Sequence, residues 1–447
     1  MPFIPWLGGL LALLALIASL RAARRKRLVN DLPTSKTSGV FIGLVELKGT
    51  AESDHPLASF FSAEACVIYE WSVQEHWSRT VTETYTDSKG NTQTRTRHES
   101  GWTTVADGRE AISFYLRDEC GAVQVVPSGA TIEPQTIFSE TCTPLNPLYY
   151  GKGPAGAVAN SDFRRQFVEK AILLHAPLYV MGQARERSDV VAAEIAGDKN
   201  ATMFLISTRT EEQVSRGFGW GHWGWGALGL ILAAAGFFAV DQVEHRTSGV
   251  AVYFFAAGAF LLAWLAGWIW MAFNSLIDLR QRVRQGWAQV DVQLKRRHDL
   301  IPNLVQAVQG LRDYERNLQM ELATLRGQLG ATPPGKSGDD YEAVGKVLMA
   351  VAEQYPDLKS QESFANLQKN LIDTEQRIAL ARGYFNEIAT FYNTRLEVVP
   401  DRFIALLGAM KPQSLMAAND FERAPIEVDF QEAEGVNTTS NQKSERL

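Results

Sequence analysis

Three stretches of the chain carry no charged side chain, and the polar sequence is divided by them. Pro2 to Leu20, Phe218 to Val240 and Gly249 to Phe273 contain no Asp, Glu, Lys or Arg. At about 1.5 Å per helical residue each is long enough to cross a hydrocarbon core of about 30 Å, so three transmembrane helices are expected. Only Asp241 to Ser248 separate the second from the third, so these two read as a hairpin closed by a tight external turn. Gly217, Gly221 and Gly229 are candidates for close helix contact within it.

The charges beside these stretches give an orientation. Nothing basic precedes the first run, whereas Arg21, Arg24, Arg25, Lys26 and Arg27 follow it, the reverse of a cleaved secretory signal. The positive-inside rule then predicts an N-terminus outside and a cytoplasmic chain after Leu20. Arg209 and Arg216 before the hairpin, and Arg280, Arg282 and Arg284 after it, place both of its flanks inside as well. Arg280, Arg282 and Arg284, within a few turns of the bilayer, are expected at anionic headgroups, worth about 1 kcal/mol each near the surface. Trp220, Trp223, Trp225, Trp264, Trp268 and Trp270 gather near the same interface, where amphipathic indoles are favoured.

Between the first and second membrane runs the pattern is short and β-prone. Val40 to Ala51, Ala65 to Val73, Ile112 to Leu116 and Val123 to Val126 read as strands by their β-branched and aromatic content. Thr80 to Thr86 and Thr92 to His98 flank Asp87-Ser88-Lys89-Gly90-Asn91, which predicts a protruding hairpin whose Thr-rich faces are solvated or meet a partner.

After the third run the period becomes helical. Leu276, Leu279, Val283, Trp287, Val290 and Leu294 predict one amphipathic helix leaving the membrane, and Val305 to Leu325 continue the spacing beyond Pro302 with a kink there. Residues 330–340 read as a loop, and a further helix is expected from Tyr341 to Gln354. Then Phe364, Leu367, Leu371, Thr374, Ile378, Ala381, Phe385, Ile388 and Tyr392 follow in strict steps of three and four. Such a seam must be covered, and Leu380, Tyr384 and Phe391 widen it toward an intramolecular bundle. The last residues, 431–447, are polar and are expected to form a disordered tail.

Composition changes this picture in one respect. Across 447 residues, 44 basic and 50 acidic side chains leave a net charge of -6, which excludes a general attraction to nucleic acid. Three cysteines, Cys66, Cys120 and Cys142, are too few for a disulfide framework. Cys66 lies in an apolar strand pattern and reads as a buried, inert thiol. His55, His76, His98 and His175 are scattered, and neither a phosphate-binding glycine loop, HExxH nor GxSxG occurs. No catalytic, cofactor-binding or metal-ligating set is expected.

Two resemblances add to this reading. Gly43 to Gly49, Ala65 to Tyr69, Phe114 to Asp118 with Gly121, Leu178 to Gly182 and Phe204 to Arg209 together resemble the GIDE, or beside-a-membrane, domain known from a mitochondrial RING-type ubiquitin ligase and from bacterial membrane proteins. Ligase activity does not follow, because a RING finger takes eight paired Cys or His ligands and no CxxC pair exists here. Asn274-Ser275-Leu276, the long phrase Trp287 to Leu304, Tyr355 to Lys359, Asn366-Leu367-Gln368, Thr374 to Ala379, Ala381 to Asn386 and Tyr392-Asn393-Thr394 resemble the LemA family. That resemblance implies a membrane anchor followed by a long antiparallel helical bundle, and magnetosome-associated relatives imply membrane shaping.

The expected molecule is a multi-pass α+β membrane protein. It comprises an anchor with basic flank (1–27), a β-rich cytoplasmic domain (28–217), a transmembrane hairpin (218–273), a LemA-type bundle (274–430) and a tail (431–447). Within the bundle, Asp291, Arg296, Arg297, Asp299 and Asn303, joined by Glu375 and Arg382, are expected to form a buried polar network that fixes register, or else a surface for an acidic lipid or partner. Trp287, Pro302, Phe364, Leu367, Leu371, Ile378, Phe385, Ile388 and Tyr392 are the expected packing residues. The functional expectation is a non-enzymatic scaffold of the bacterial inner membrane. Its partners would be the lipid bilayer and further copies of itself, or, in a second reading, an unidentified protein recruited by the β-rich domain.

Overall fold

The computed structural model describes residues 3–86, 92–187, 192–198, 203–244, 249–309 and 362–416. The turn at 87–91, the loop at 330–340, the helix expected at 341–354 and the tail at 431–447 lie outside these residues.

Among the described residues, three helices are long and apolar enough to cross a membrane. They are α1 (Phe3–Asn30), α3 (Glu211–Glu244) and the membrane part of α4 (Val250–Gln309). Gly8 meets Gly236 and Ala15 meets Gly229, so α1 and α3 run antiparallel, whereas Leu20 meets Gly267 and α1 runs parallel to α4. Among the three glycines expected to allow close contact, Gly229 does so: a Cβ there would lie 2.5 Å from the Phe260 ring. The start of α1, the end of α3 and the start of α4 therefore share one end of the helical trio. Both polar modules emerge at the other end.

The β-rich region contains two sheets. Strands β2 (Gly43–Glu52), β6 (Phe114–Asp118), β7 (Gly121–Val125), β12 (Ala193–Ala196) and β11 (Pro177–Glu186) pair in a ring that closes through β2 and β11, with β1 (Thr34–Ser35), β13 (Leu205–Ser207) and β8 (Thr131–Glu133) added to it. Side chains alternate across β11: Leu178 and Val180 fill the barrel with Leu47, Phe114 and Ile206, while Tyr179 and Met181 pack outward on Val29 of α1, Leu32 just after it and Val214 of α3. This alternation seats the barrel on the ends of two membrane helices.

The second sheet runs β3 (Leu57–Ala58), β4 (Ala65–Thr86), β10 (Ser161–Leu173), β9 (Gln135–Cys142), with β5 (Thr92–Ala111) also on β4. A short α2 (Leu148–Gly151) lies between β9 and β10. The expected hairpin is the distal part of a longer arm: β4 and β5 pair from Ile68–Ala111 to Thr86–Thr92 with one register shift between Val73 and Gln74, and β10 leaves them at Trp77.

Helix α4 continues unbroken for 60 residues, from the membrane into the polar module. Helix α5 (Glu362–Glu397) packs antiparallel on it, and a short α6 (Asp401–Leu407) follows. Leu279, Val283 and Val290 meet Ala381, Phe385, Ile388 and Tyr392, and a Cβ added at Gly286 would lie 3.6 Å from the Phe385 Cα. The described heptad seam is thus covered by α4. A two-helix antiparallel pair is what the described residues contain.

Candidate functional site at the membrane-side junction

Both modules meet the membrane helices at one place, and paired charges hold it. Arg27, near the end of α1, donates to both carboxylate oxygens of Asp401 at 2.9 and 2.8 Å. Arg395 of α5 donates to Asp31 at 2.9 and 2.7 Å and reaches Asp401 at 3.3 Å. The Asp401 and Asp31 side chains are 2% and 9% exposed. Arg27 also lies over the Trp268 ring, 5.4 Å from its centre. Two residues near the N-terminus and two near the end of the described chain therefore form one network.

This changes the reading of the basic flank. Arg27 turns inward to Asp401, while Arg21, Arg24 and Arg25 are exposed and Lys26 is half-buried beside Gly219. Arg24 lies 3.6 Å from Asp278. Arg284 is exposed, but Arg280 and Arg282 are half-buried, and Arg282 lines a small cleft with Arg24, Leu28, Asp31 and Asp278. Helix rotation decides this, since Leu279 and Val283 beside them face α5.

A carboxyl group lies at the barrel's contact with α1. Glu46 is buried and accepts hydrogen bonds from Thr34 Oγ1 at 2.7 Å and Tyr179 OH at 2.9 Å, with Lys48 Nζ at 3.5 Å. Burial, chiefly, pushes its pKa up from 4.5 to about 7, with the nearby Glu211 carboxylate adding to the rise. Glu46 ionises near 4.5 when unfolded, so its contribution to folding is full below that pH and is lost as the pH rises through about 7. Glu46→Gln is expected to remove about 3 kcal/mol of pH dependence across this window, read from denaturant unfolding at pH 5 and pH 8.

Two amides on α5 fasten the chain that follows α6. Asn386 donates through Nδ2 to Met416 O and accepts from Met416 N, at 3.1 and 2.8 Å. Asn393 does the same with Gln413 O and N, both at 2.8 Å. Seven helical residues and three extended residues both span about 10 Å, so the two amides match peptide units three residues apart in an extended segment. Alanine at both positions removes four bonds worth about 1 kcal/mol each and is expected to speed amide exchange at Gln413 and Met416. Mass spectrometry of the 411–416 peptide measures it.

Of the residues expected in an interior network, Asp291, Arg296 and Asp299 are exposed, since Val283, Val290 and Leu294 form the face of α4 that packs on α5. Arg296 is 4.0 Å from Asp373 across the α4–α5 pair. Glu375 and Arg382 are half-buried. The side chains of Arg297, Pro302, Asn303, Phe364, Leu367 and Leu371 lie outside the described residues. Ile378, Phe385, Ile388 and Tyr392 are buried in the seam with Thr374 and Ala381, and Trp287 packs edge-on against Phe385 at 5.8 Å.

Nothing in the β-rich region is arranged for acyl transfer among the described residues. His76 and Ser78 both bond Asp162, at 2.5 and 2.7 Å, so the serine hydroxyl donates to the carboxylate rather than to the imidazole. Cys66 is buried, and its thiol is pushed up to about 11 by burial first and by neighbouring carboxylates. No cluster of three or more potential metal ligands gathers among the described residues.

The α4–α5 pair and its clamped extension coincide with a family match. Residues 286–430 match the LemA family. Residues 82–238 match the GIDE family, described as E3 Ubiquitin ligase. Each half thus carries the resemblance expected of it. The chain is also similar to curated proteins. Magnetosome protein MamQ of Magnetospirillum gryphiswaldense is 34% identical over 85 residues, covering 19% of this chain and 31% of that protein. Magnetosome proteins MamQ 1 and MamQ 2 of Paramagnetospirillum magneticum are each 23% identical over 172 residues, covering 32% of this chain and 63% of theirs. The chain spans less than two thirds of the length of each of these relatives.

Proposed function

We propose that this protein is a non-enzymatic, membrane-anchored scaffold that self-assembles in the bacterial cytoplasmic membrane and organises the membrane around it. The observation that carries the reading is the ion network of Arg27, Asp31, Arg395 and Asp401, which ties the anchor to the helical module, beside the packing of Tyr179 and Met181 that seats the β-rich module on α1 and α3. A rigid body with both modules at one end of three membrane helices suits lateral assembly, and its N-terminus would lie outside with both modules in the cytoplasm. The likeness of the chain to magnetosome proteins supports a role in membrane organisation. Particle images of the full-length protein in detergent are expected to contain several copies, and particles holding a single chain would contradict the reading.

The β4–β5 arm favours a second reading, an adaptor. Beyond Trp77 its two strands pair only with each other and extend for about 27 Å, exposing both faces and both edges. Deletion of residues 80–98 that abolished capture of an envelope or proteolytic partner, with assembly intact, would favour the adaptor.

A further inference from the structure

Helix α6 distributes its apolar side chains in a way that packing among the described residues does not use. Ile404 and Ala405 are buried against Ala272 and Leu276 of α4. Phe403, Leu406 and Leu407, spaced as one helical face, are 60%, 68% and 86% exposed. Three large apolar groups side by side on a seven-residue helix would be an unfavourable surface in water.

Three landmarks fix the level of this helix relative to the membrane. Asp401, its first residue, is bonded to Arg27, seven residues and so about 10 Å beyond the uncharged run of α1. Ala272, which it covers, is the penultimate residue of the uncharged run of α4. Gly408, directly after α6, faces the ring of Phe273, the last residue of that run, at 3.0 Å from an added Cβ. The helix therefore lies where acyl chains give way to headgroups. Arg402 and Lys411, both exposed, flank the apolar face with positive charge, as in helices that lie in a membrane surface.

We propose that α6 is an interfacial helix that seats Phe403, Leu406 and Leu407 at the headgroup–acyl boundary of the leaflet facing the two modules, with Arg402 and Lys411 at lipid phosphates. The ion network clamps the start of α6, and the Asn386 and Asn393 amides clamp the chain after it, so the wedge is held at a fixed depth beside α4. The occupant of this face is lipid, because the patch is continuous with the exposed membrane surface of α4 at Phe273. This inference goes beyond the scaffold reading, since a single copy suffices for it.

The test uses the full chain carrying Cys120→Ser, with a spin label at Leu406→Cys, in vesicles of phosphatidylethanolamine and phosphatidylglycerol. Cys66 and Cys142 are buried, and Leu406 is exposed, so its replacement removes no core contact. Power saturation compares access of oxygen, which concentrates in lipid, with access of a water-soluble nickel chelate. The expected result is a several-fold higher ratio of oxygen to nickel access at position 406 than at a control label at Thr103→Cys on the exposed β5 strand. Nickel access equal to the control would overturn the proposal by placing α6 in water. Shielding from both reagents would overturn it in favour of a second copy or a protein partner. The oligomeric state of the same sample is read separately by its mass, so the scaffold reading and the lipid-seated helix fail independently.

Discussion

Replacing Arg27 with alanine is expected to destabilise the full-length protein by about 3 kcal/mol, the lower end of the range for breaking a buried ion pair, because Asp401 keeps Arg395 at 3.3 Å. The substitution leaves a carboxylate that is 2% exposed with one cation instead of two and removes the bidentate bond that joins α1 to α6. Unfolding in detergent, followed by tryptophan fluorescence, measures the loss. Amide exchange should accelerate across residues 401–407 before it does so in the barrel. Arg27→Ala combined with Asp401→Ala should restore part of the stability, because no uncompensated carboxylate then remains. A loss below about 0.5 kcal/mol in the single variant would mean that the pair behaves as a solvated surface pair and does not join α1 to α6.

A comparable loss, about 3–5 kcal/mol, is expected from Arg165→Met in the β-rich module. Arg165 and Glu75 are both fully buried, with the guanidinium 3.1 and 3.2 Å from one carboxylate oxygen. The same guanidinium donates to the backbone carbonyls of Tyr149, Pro154 and Gly156 and stacks over the Tyr149 ring at 4.0 Å. Ser161 and Tyr149 donate to the other Glu75 oxygen. Methionine fills much of the volume but leaves a buried carboxylate and three carbonyls without their cation. The loop around α2 should then exchange its amides with solvent, while α3 and α4 remain protected. Glu75→Gln combined with Arg165→Met should be less damaging than Arg165→Met alone.

These two networks are also where the sequence was least legible. The membrane runs were plain, because some twenty consecutive uncharged residues have few other uses. The α4–α5 pair was plain too, since its seam repeats in steps of three and four and the LemA-like phrases lie along it. Closure of the barrel was not, because the strand that closes it pairs Gly43–Thr50 with Pro177–Ala184, and strand periodicity carries no information about so distant a partner. Arg165 stands in the run Arg164-Arg165-Gln166 with nothing to distinguish a buried guanidinium from a solvated one. Arg27 follows four other cations and shared their membrane-proximal reading. Only its position on the helix, facing Asp401 and Trp268, separates it from them. The polar residues of the Trp287 to Leu304 phrase are dense, yet Asp291, Lys295, Arg296 and Asp299 are exposed while Gln289 and Gln293 are half-buried, a split that polarity alone does not foretell. The signal that could have been used was Asn386 and Asn393, one heptad apart and off the apolar seam, since a repeated amide at that spacing suits an extended chain laid along the helix.

The pieces combine into one mechanical account. Glycine contacts pack the three membrane helices, a buried ion network and the packing of Tyr179 and Met181 fix the two modules to their common end, and amide clamps hold the last described segment against α5. On the proposed reading, such bodies associate laterally and organise the membrane that holds them. Native mass measurement of the full-length protein in detergent, over a wide range of concentration, tests this most directly. The account predicts a discrete species of several subunits that persists on dilution, and a strict monomer at every concentration would contradict it.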